Sequence, residues 1–172
     1  AIHTALEPDS VSAFVNLAGP IDFSHAGFLG HMTNPRWFDP AAIASAGNMS
    51  AAQMQAGFVA LRPTAPLSKM VGFIDRLGDT ARMEALTSLE TWASDNIAFP
   101  AAAYVRYIEE LYQQNQLVKG THTVRGRAVD LSRITCPVMT VTTARDVICP
   151  PPSALALNEA VGSTDKRHVA IP

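Results

Sequence analysis

A single acid closes an apolar, β-branched run: Ile134-Thr135-Cys136-Pro137-Val138-Met139-Thr140-Val141-Thr142-Thr143-Ala144-Arg145-Asp146. Pro150-Pro151-Pro152 and a helix-like segment follow. Such a run reads as a buried strand, and the carboxyl end of a buried strand is where α/β sheets place their chemistry. Asp146 is therefore the candidate acid of a nucleophile–His–Asp constellation. In that role it would orient an imidazole and stabilise its charged form. An Asp before proline-rich sequence also serves as a turn former or helix cap, and that reading stands beside the catalytic one.

Partners for this acid are hard to find in the chain. Cys149 lies three residues on, but no G-x-C-x-G surrounds it, and a buried, inert thiol is the expectation. Cys136 precedes Pro137 at the start of the strand and reads as core. Ser24, Ser45, Ser50, Ser68 and Ser153 all lack the G-x-S-x-G turn that exposes an attacking oxygen. His3, His25, His31, His122 and His168 are scattered. His25 and His31 are not at the i, i+4 spacing of a helical metal pair. His168 opens the last strand, at the end of the sheet opposite the acid. None of the five is expected to be the base, and no residue is assigned to a metal or a cofactor.

The elements that must position Asp146 can be read around it. Residues Ala1 to Leu6 form the tail of a helix, broken at Glu7-Pro8-Asp9-Ser10. Val11 to Ala18 reads as a buried parallel strand bounded by Gly19-Pro20. From Ile21 to Gly120 no strand is convincing. Helical patterns there are broken at Asn34-Pro35, Asp39-Pro40, Arg62-Pro63, Ala65-Pro66 and Phe99-Pro100. One helix starts near Asp79-Thr80 and carries Met83, Leu86, Leu89 and Trp92. Another starts at Pro100, puts Tyr104, Ile108 and Leu111 on one face, and ends by Gly120.

A hairpin turn is expected at Arg125-Gly126-Arg127. After the acid, a helix opens at Pro150-Pro151-Pro152-Ser153 and stops at Gly162. Lys166 to Pro172 is a strand. The order strand, helical insertion, strand, acid, helix, strand argues for an α/β fold with a parallel sheet. The expected division is an α/β core over 1–20, a helical cap or lid over 21–120, and an α/β core carrying the acid loop over 121–172.

Bulk properties narrow the class. The 172 residues are 48% hydrophobic and carry a net charge of -2, which suits a globular domain with a core. So balanced a charge does not fit a polyanion binder, and no nucleic-acid partner is expected. No apolar run approaches the ~18 residues of a membrane span. No secretory signal is recognisable, two cysteines make no disulfide framework, and a reducing cytoplasm is the simplest home. The first residue is Ala rather than Met, so a trimmed start is expected.

Several segments carry a family likeness. They are Val15-Asn16-Leu17-Ala18-Gly19-Pro20-Ile21-Asp22-Phe23, Asn34-Pro35-Arg36-Trp37-Phe38-Asp39, Ala46-Gly47-Asn48-Met49 and Gly57-Phe58-Val59-Ala60-Leu61-Arg62-Pro63. Leu111-Tyr112-Gln113-Gln114-Asn115-Gln116-Leu117-Val118-Lys119-Gly120 and Ile134-Thr135-Cys136-Pro137-Val138 with Ala144-Arg145-Asp146 complete the set. As an ordered set they resemble the catalytic subunit of polyhydroxyalkanoate synthases, most closely the short two-subunit class III kind. The resemblance implies a partial α/β-hydrolase fold with a large helical cap insertion. It implies an acyltransferase that polymerises (R)-3-hydroxyacyl-CoA into polyester and releases CoA through a Cys-His-Asp triad. Only the Asp matches by position, as Asp146. The Cys, on a G-x-C-x-G turn, and the His, in a G-G-H segment, are expected just outside this stretch, and the stretch alone is expected to be inactive.

The resemblance further implies no cofactor beyond the coenzyme A thioester substrate. Partners would be hydroxyacyl-CoA and the polyester chain, a second synthase subunit, and a second copy docked through the cap. The place would be the cytoplasm, at the surface of polyester granules. The cap aromatics Trp37, Phe38, Phe58, Phe73, Trp92, Phe99, Tyr104, Tyr107 and Tyr112 read as helical core or as an apolar lid, with Gly47, Gly57 and Gly72 as candidate hinges. Arg125, Arg127, Arg133 and Arg145 read equally as solvated charge or as contacts to CoA phosphates. Asp22 reads as structural. Two other functions stay open: a capped esterase, depolymerase or other acyltransferase, and a non-catalytic interaction module.

Overall fold

The computed structural model describes residues 1–61, 65–74 and 78–172. The expected break at Arg62-Pro63 and the side chain of Phe58 lie outside the described residues. The chain forms two compact units, one of residues 1–40 with 105–172 and one of residues 41–104.

The first unit is built on a three-stranded parallel sheet. Its strands are β1 (Phe14–Leu17), β4 (Val138–Thr143) and β5 (Lys166–Ile171), in the order β1-β4-β5. Phe14 pairs with Val138 and Leu17 with Val141 on one side, and Val138 pairs with Lys166 and Thr143 with Ile171 on the other. The alternation of strands and helices thus gives the expected α/β architecture. β4 is the middle strand, and Val138, Thr140, Val141 and Thr142 are all buried. That burial is why its sequence is a β-branched run without polar alternation.

Helices pack on this strand. Helix α1 (Ile2–Leu6) contributes Ala5 and Leu6 to the core, and the 3₁₀ turn Leu131–Arg133 contributes Leu131. Helix α8 (Pro151–Ala160) has prolines in its first turn, where their missing N–H is no loss. It buries Ala154 and Leu157, and Thr140 Oγ1 donates to Asn158 Oδ1 at 2.8 Å. Lys166 Nζ closes its far end by donating to the carbonyls of Asn158 and Val161. Gly162 is required just beyond, because a Cβ there would collide with the carbonyl oxygen of Ser132. The core joins Ile21, Phe23, Leu111, Leu117, Val129, Ile134, Val138 and Val161 to these residues.

The expected hairpin is present as β2 (Thr123–Val124) and β3 (Arg127–Ala128). Arg125 and Gly126 both have positive φ, 51° and 76°, the requirement of a two-residue turn that matches strand twist. Arg127 donates to Glu7 Oε1 and to the Leu6 carbonyl, so it ties the hairpin to the end of α1.

In the same unit, α2 (Gly27–Met32) follows a 3₁₀ turn at Phe23–His25. The second unit comprises most of α3 (Pro40–Ala44), then α4 (Ala51–Leu61), α5 (Ala65–Ile74), α6 (Thr80–Ser94) and the beginning of α7 (Ala101–Arg106). Asp79 caps α6 by accepting from Arg82 N at 3.1 Å. Met49 and Phe99 exchange backbone hydrogen bonds of 2.9 and 2.8 Å.

The helix expected to run from Pro100 to Gly120 behaves differently from its pattern. It is α-helical only to Arg106 and continues as a π-helix from Tyr107 to Gln113. Ile108 and Leu111 are both buried, and a spacing of three suits either winding, so it could not reveal the change. Gly120 does lie at the end of the following turns, with φ 68°.

Candidate functional site

Asp146 lies three residues past the end of β4, in the loop between β4 and α8. Its Oδ1 accepts from Ile148 N at 2.8 Å and Cys149 N at 2.9 Å, and its own N–H reaches Thr143 O at 3.3 Å. This is a side chain that folds its own loop, the local habit of Asp before a helix start. Oδ2 meets no hydrogen-bond donor among the described residues. One oxygen is therefore held by backbone, and the other remains for a further donor.

The loop is packed from behind. Cys149 is 2% exposed. Burial pushes its thiol pKa up, and although Ser153 bonds it in the opposing sense, the Asp146 carboxylate adds to the rise. A thiol kept protonated in this way is a poor nucleophile. Gly27, with φ 55°, stands so near the loop that a Cβ would lie 3.1 Å from Val147 O. Ser153 O accepts both Ile21 N and Asp22 N at 3.1 Å, and Ser153 Oγ donates to Asp22 O at 2.8 Å. The strip Ile21–Gly27 is thereby fastened to the first turn of α8 and lies close to the acid loop at Val147.

Asp22 itself caps the 3₁₀ turn. Its Oδ1 accepts from Ser24 N, Ser24 Oγ and Asn115 Nδ2 at 2.9, 2.6 and 2.8 Å. Burial pushes its pKa up, but the Ser24 and Asn115 bonds outweigh that and hold it below its usual value. Asn115 completes the joint by accepting from Phe23 N at 2.9 Å, and it does so from a positive φ of 53°. Ser153 was weighed only as a nucleophile lacking its turn, and Asn115 escaped the reading of motifs by chemistry, since it is not a nucleophile, acid or base. Only the positive-φ tolerance of Asn could have drawn attention to Asn115.

The five histidines are engaged elsewhere. His3 Nε2 meets Ser10 Oγ at 3.2 Å, and His25 Nε2 is 3.9 Å from Asp22 Oδ2. His31 stacks against Phe28 and tilts onto Trp37. His122 is buried with Nδ1 3.1 Å from Glu110 Oε2, close but outside hydrogen-bond geometry, so the contact is electrostatic. His168 Nε2 lies 2.9 Å from Thr142 Oγ1 on the neighbouring strand. Among the described residues no histidine bonds Asp146. Cys136 is partly buried against the core. Of the four arginines weighed for phosphate contacts, Arg127 is committed to Glu7 and Leu6.

No protein-family model matches the chain. Among curated proteins, it is similar to the poly(3-hydroxyalkanoate) polymerase subunit PhaC of Haloarcula marismortui. That match is 27% identical over 171 residues, covering 98% of this chain and 36% of the relative. The subunit of the same name from Allochromatium vinosum is 27% identical over 172 residues, covering 99% and 48%. That of Synechocystis sp. is 28% identical over 164 residues, covering 91% and 43%. The chain thus spans less than half the length of each of these relatives, and the motif resemblance to polyhydroxyalkanoate synthases extends over nearly all of it. Among solved structures, a monoacylglycerol lipase from Paleococcus ferrophilus is similar with a TM-score of 0.49 and 14% identity, covering 98% of this chain and 52% of that one. The α/β hydrolase enzyme MGS-M2 from a Medee basin deep-sea metagenome library has a TM-score of 0.47 and 16% identity, covering 98% and 50%.

Proposed function

We propose that these 172 residues are the acid-bearing part of a poly(3-hydroxyalkanoate) polymerase catalytic subunit, an acyltransferase that joins (R)-3-hydroxyacyl-CoA units into polyester and releases CoA. The observation that carries the proposal is the placement of Asp146. It stands just past the carboxyl end of the middle strand of a parallel sheet, with Oδ1 held by two backbone N–H groups and Oδ2 without a donor among the described residues. The similarity to the curated polymerase subunits supplies the choice of chemistry.

In this reading a Cys and a His come from parts of the relatives' length that the 172 residues do not span. The Cys carries the growing chain as a thioester. The His takes the thiol proton, and later that of the 3-hydroxyl attacking the thioester carbonyl; CoA leaves as the thiol. Asp146 Oδ2 accepts from the ring N–H of that His, fixes its tautomer and stabilises its cationic form. Cys149 and Cys136 take no part. Granule attachment, a second subunit and pairing of two copies belong to the same proposal.

The full-length protein tests it with (R)-3-hydroxybutyryl-CoA, by following free thiol and insoluble polyester together. The account expects both in proportion, and neither from residues 1–172 alone. Thiol release that yields only free hydroxy acid would make the protein a hydrolase instead.

A further inference from the structure

The helix that starts at Ala101 changes its winding at Tyr107, and the change has a geometric result. In an α-helix, side chains five apart point about 140° from one another. Here Gln114 N bonds Glu109 O at 2.9 Å, an i→i+5 closure that widens the turn. It brings Tyr107 and Tyr112, five apart, onto one side. Their ring centroids are 5.4 Å apart, inclined at 70°. Phe23 presents its ring edge-on to both, at 6.3 and 4.8 Å.

Phe23 belongs to the strip that grips the acid loop. Its backbone is held by Asn115, directly after the π turn, and the strip is bonded to the first turn of α8 at Ser153 and lies close to the loop at Val147. Burial chiefly raises the pKa values of both phenols. Tyr112 is partly buried, and Tyr107 keeps 37% of its surface exposed.

We propose that the π turn is the positioning device of the acid loop, with Tyr107 and Tyr112 acting through Phe23 and the strip Ile21–Gly27 to hold residues 146–149 in the shape that aims Asp146. The two tyrosines are positioning residues and touch no reacting atom. The catalytic half of this inference rests on the proposed role of Asp146, whereas the mechanical half does not.

The test uses the full-length protein as wild type, the double variant Tyr107→Leu/Tyr112→Leu, Asp146→Asn and the triple variant. The Leu substitutions keep apolar bulk and remove the two rings that meet Phe23. Hydrogen exchange should quicken about tenfold at the amides of Ile148 and Cys149 in the double variant, with the amides of β4 unaffected. Turnover should fall about tenfold with KM nearly unchanged, and the loss should vanish once Asp146 is Asn, the signature of two groups acting as one unit.

Unchanged exchange at 146–149 overturns the positioning claim. A turnover loss of equal size in the Asp146→Asn background overturns the route through Asp146. Wild-type turnover in Asp146→Asn alone defeats the catalytic reading and leaves the exchange measurement to decide the mechanical one. If the double variant does not fold, Tyr112→Leu alone is read by the same criteria.

Discussion

Asp22 and Asp146 show how two similar residues divide between structure and chemistry. Both follow strands of the parallel sheet, and both fold their own turns. Asp22 accepts three donors on one oxygen, one of them from Asn115, ninety-three positions away. It is a joint between segments. Replacing it by Ala should cost about 1–2 kcal/mol, since a cap and a partly buried amide lose their acceptor. Its native pKa lies below its usual 3.8. A lowered pKa stabilises the fold above the unfolded value and ceases to do so as pH falls through the native one. The stability gap between wild type and Asp22→Ala, measured by urea unfolding, should therefore be full at neutral pH and shrink below about pH 4. Asp22 was legible as structural because an Asp just ahead of a turn is a familiar cap. Its long-range bond to Asn115 was not legible, because no local pattern encodes it.

At the scale of elements, strand β4 and helix α8 follow closely from composition, whereas β1, expected as a buried strand, lies at the edge of the described sheet and leaves Val15 and Leu17 53% and 72% exposed. A β-branched run, a proline opening and a glycine stop each have a local physical cause. The π turn does not announce itself in this way. Apolar residues at i, i+3 satisfy an α-helix and a wider turn alike, and the wider turn comes with a tertiary meeting of Tyr107 and Tyr112 with Phe23 that no local pattern encodes. The start of α2 is another case. Gly27 reads in sequence as an ordinary glycine, yet its φ of 55° and its approach to Val147 O make it a specific requirement of the acid loop. Gly27→Ala should lower stability by about 1–2 kcal/mol, the order of the left-handed penalty for a residue with Cβ. Denaturant midpoints check this, and an Ala variant as stable as wild type would show that the loop yields to the added carbon.

At the scale of the molecule, the two units differ in how they bury apolar surface. The core lies in residues 1–40 and 105–172. Among the described side chains of residues 41–104 none is fully buried, while Trp92 and Ile97 are 76% and 84% exposed. Segments with so few buried contacts open at low free-energy cost. In the 172-residue chain, amides of α4 and α6 should exchange well before those of β4, and protease should cut within 41–104 first. The strands flanking β4 also present open surface, with every residue of β5 exposed, so this chain by itself should self-associate with rising concentration. Sequence alone separated sheet-forming from helical segments, because period and β-branching are local. It could not show which helical residues join the sheet's core, since that depends on contacts such as Gln113 with the carbonyls of Thr33 and Phe38. All of this converges on one carboxylate held at the end of the middle strand. The most direct measurement is steady-state turnover of (R)-3-hydroxybutyryl-CoA by the full-length protein with Asp146→Asn, its fold checked by circular dichroism. The account predicts a folded protein whose kcat falls by roughly 10²–10⁴-fold, the range expected when a catalytic imidazole loses its orienting acid. A folded Asp146→Asn protein that polymerises at the wild-type rate would contradict it.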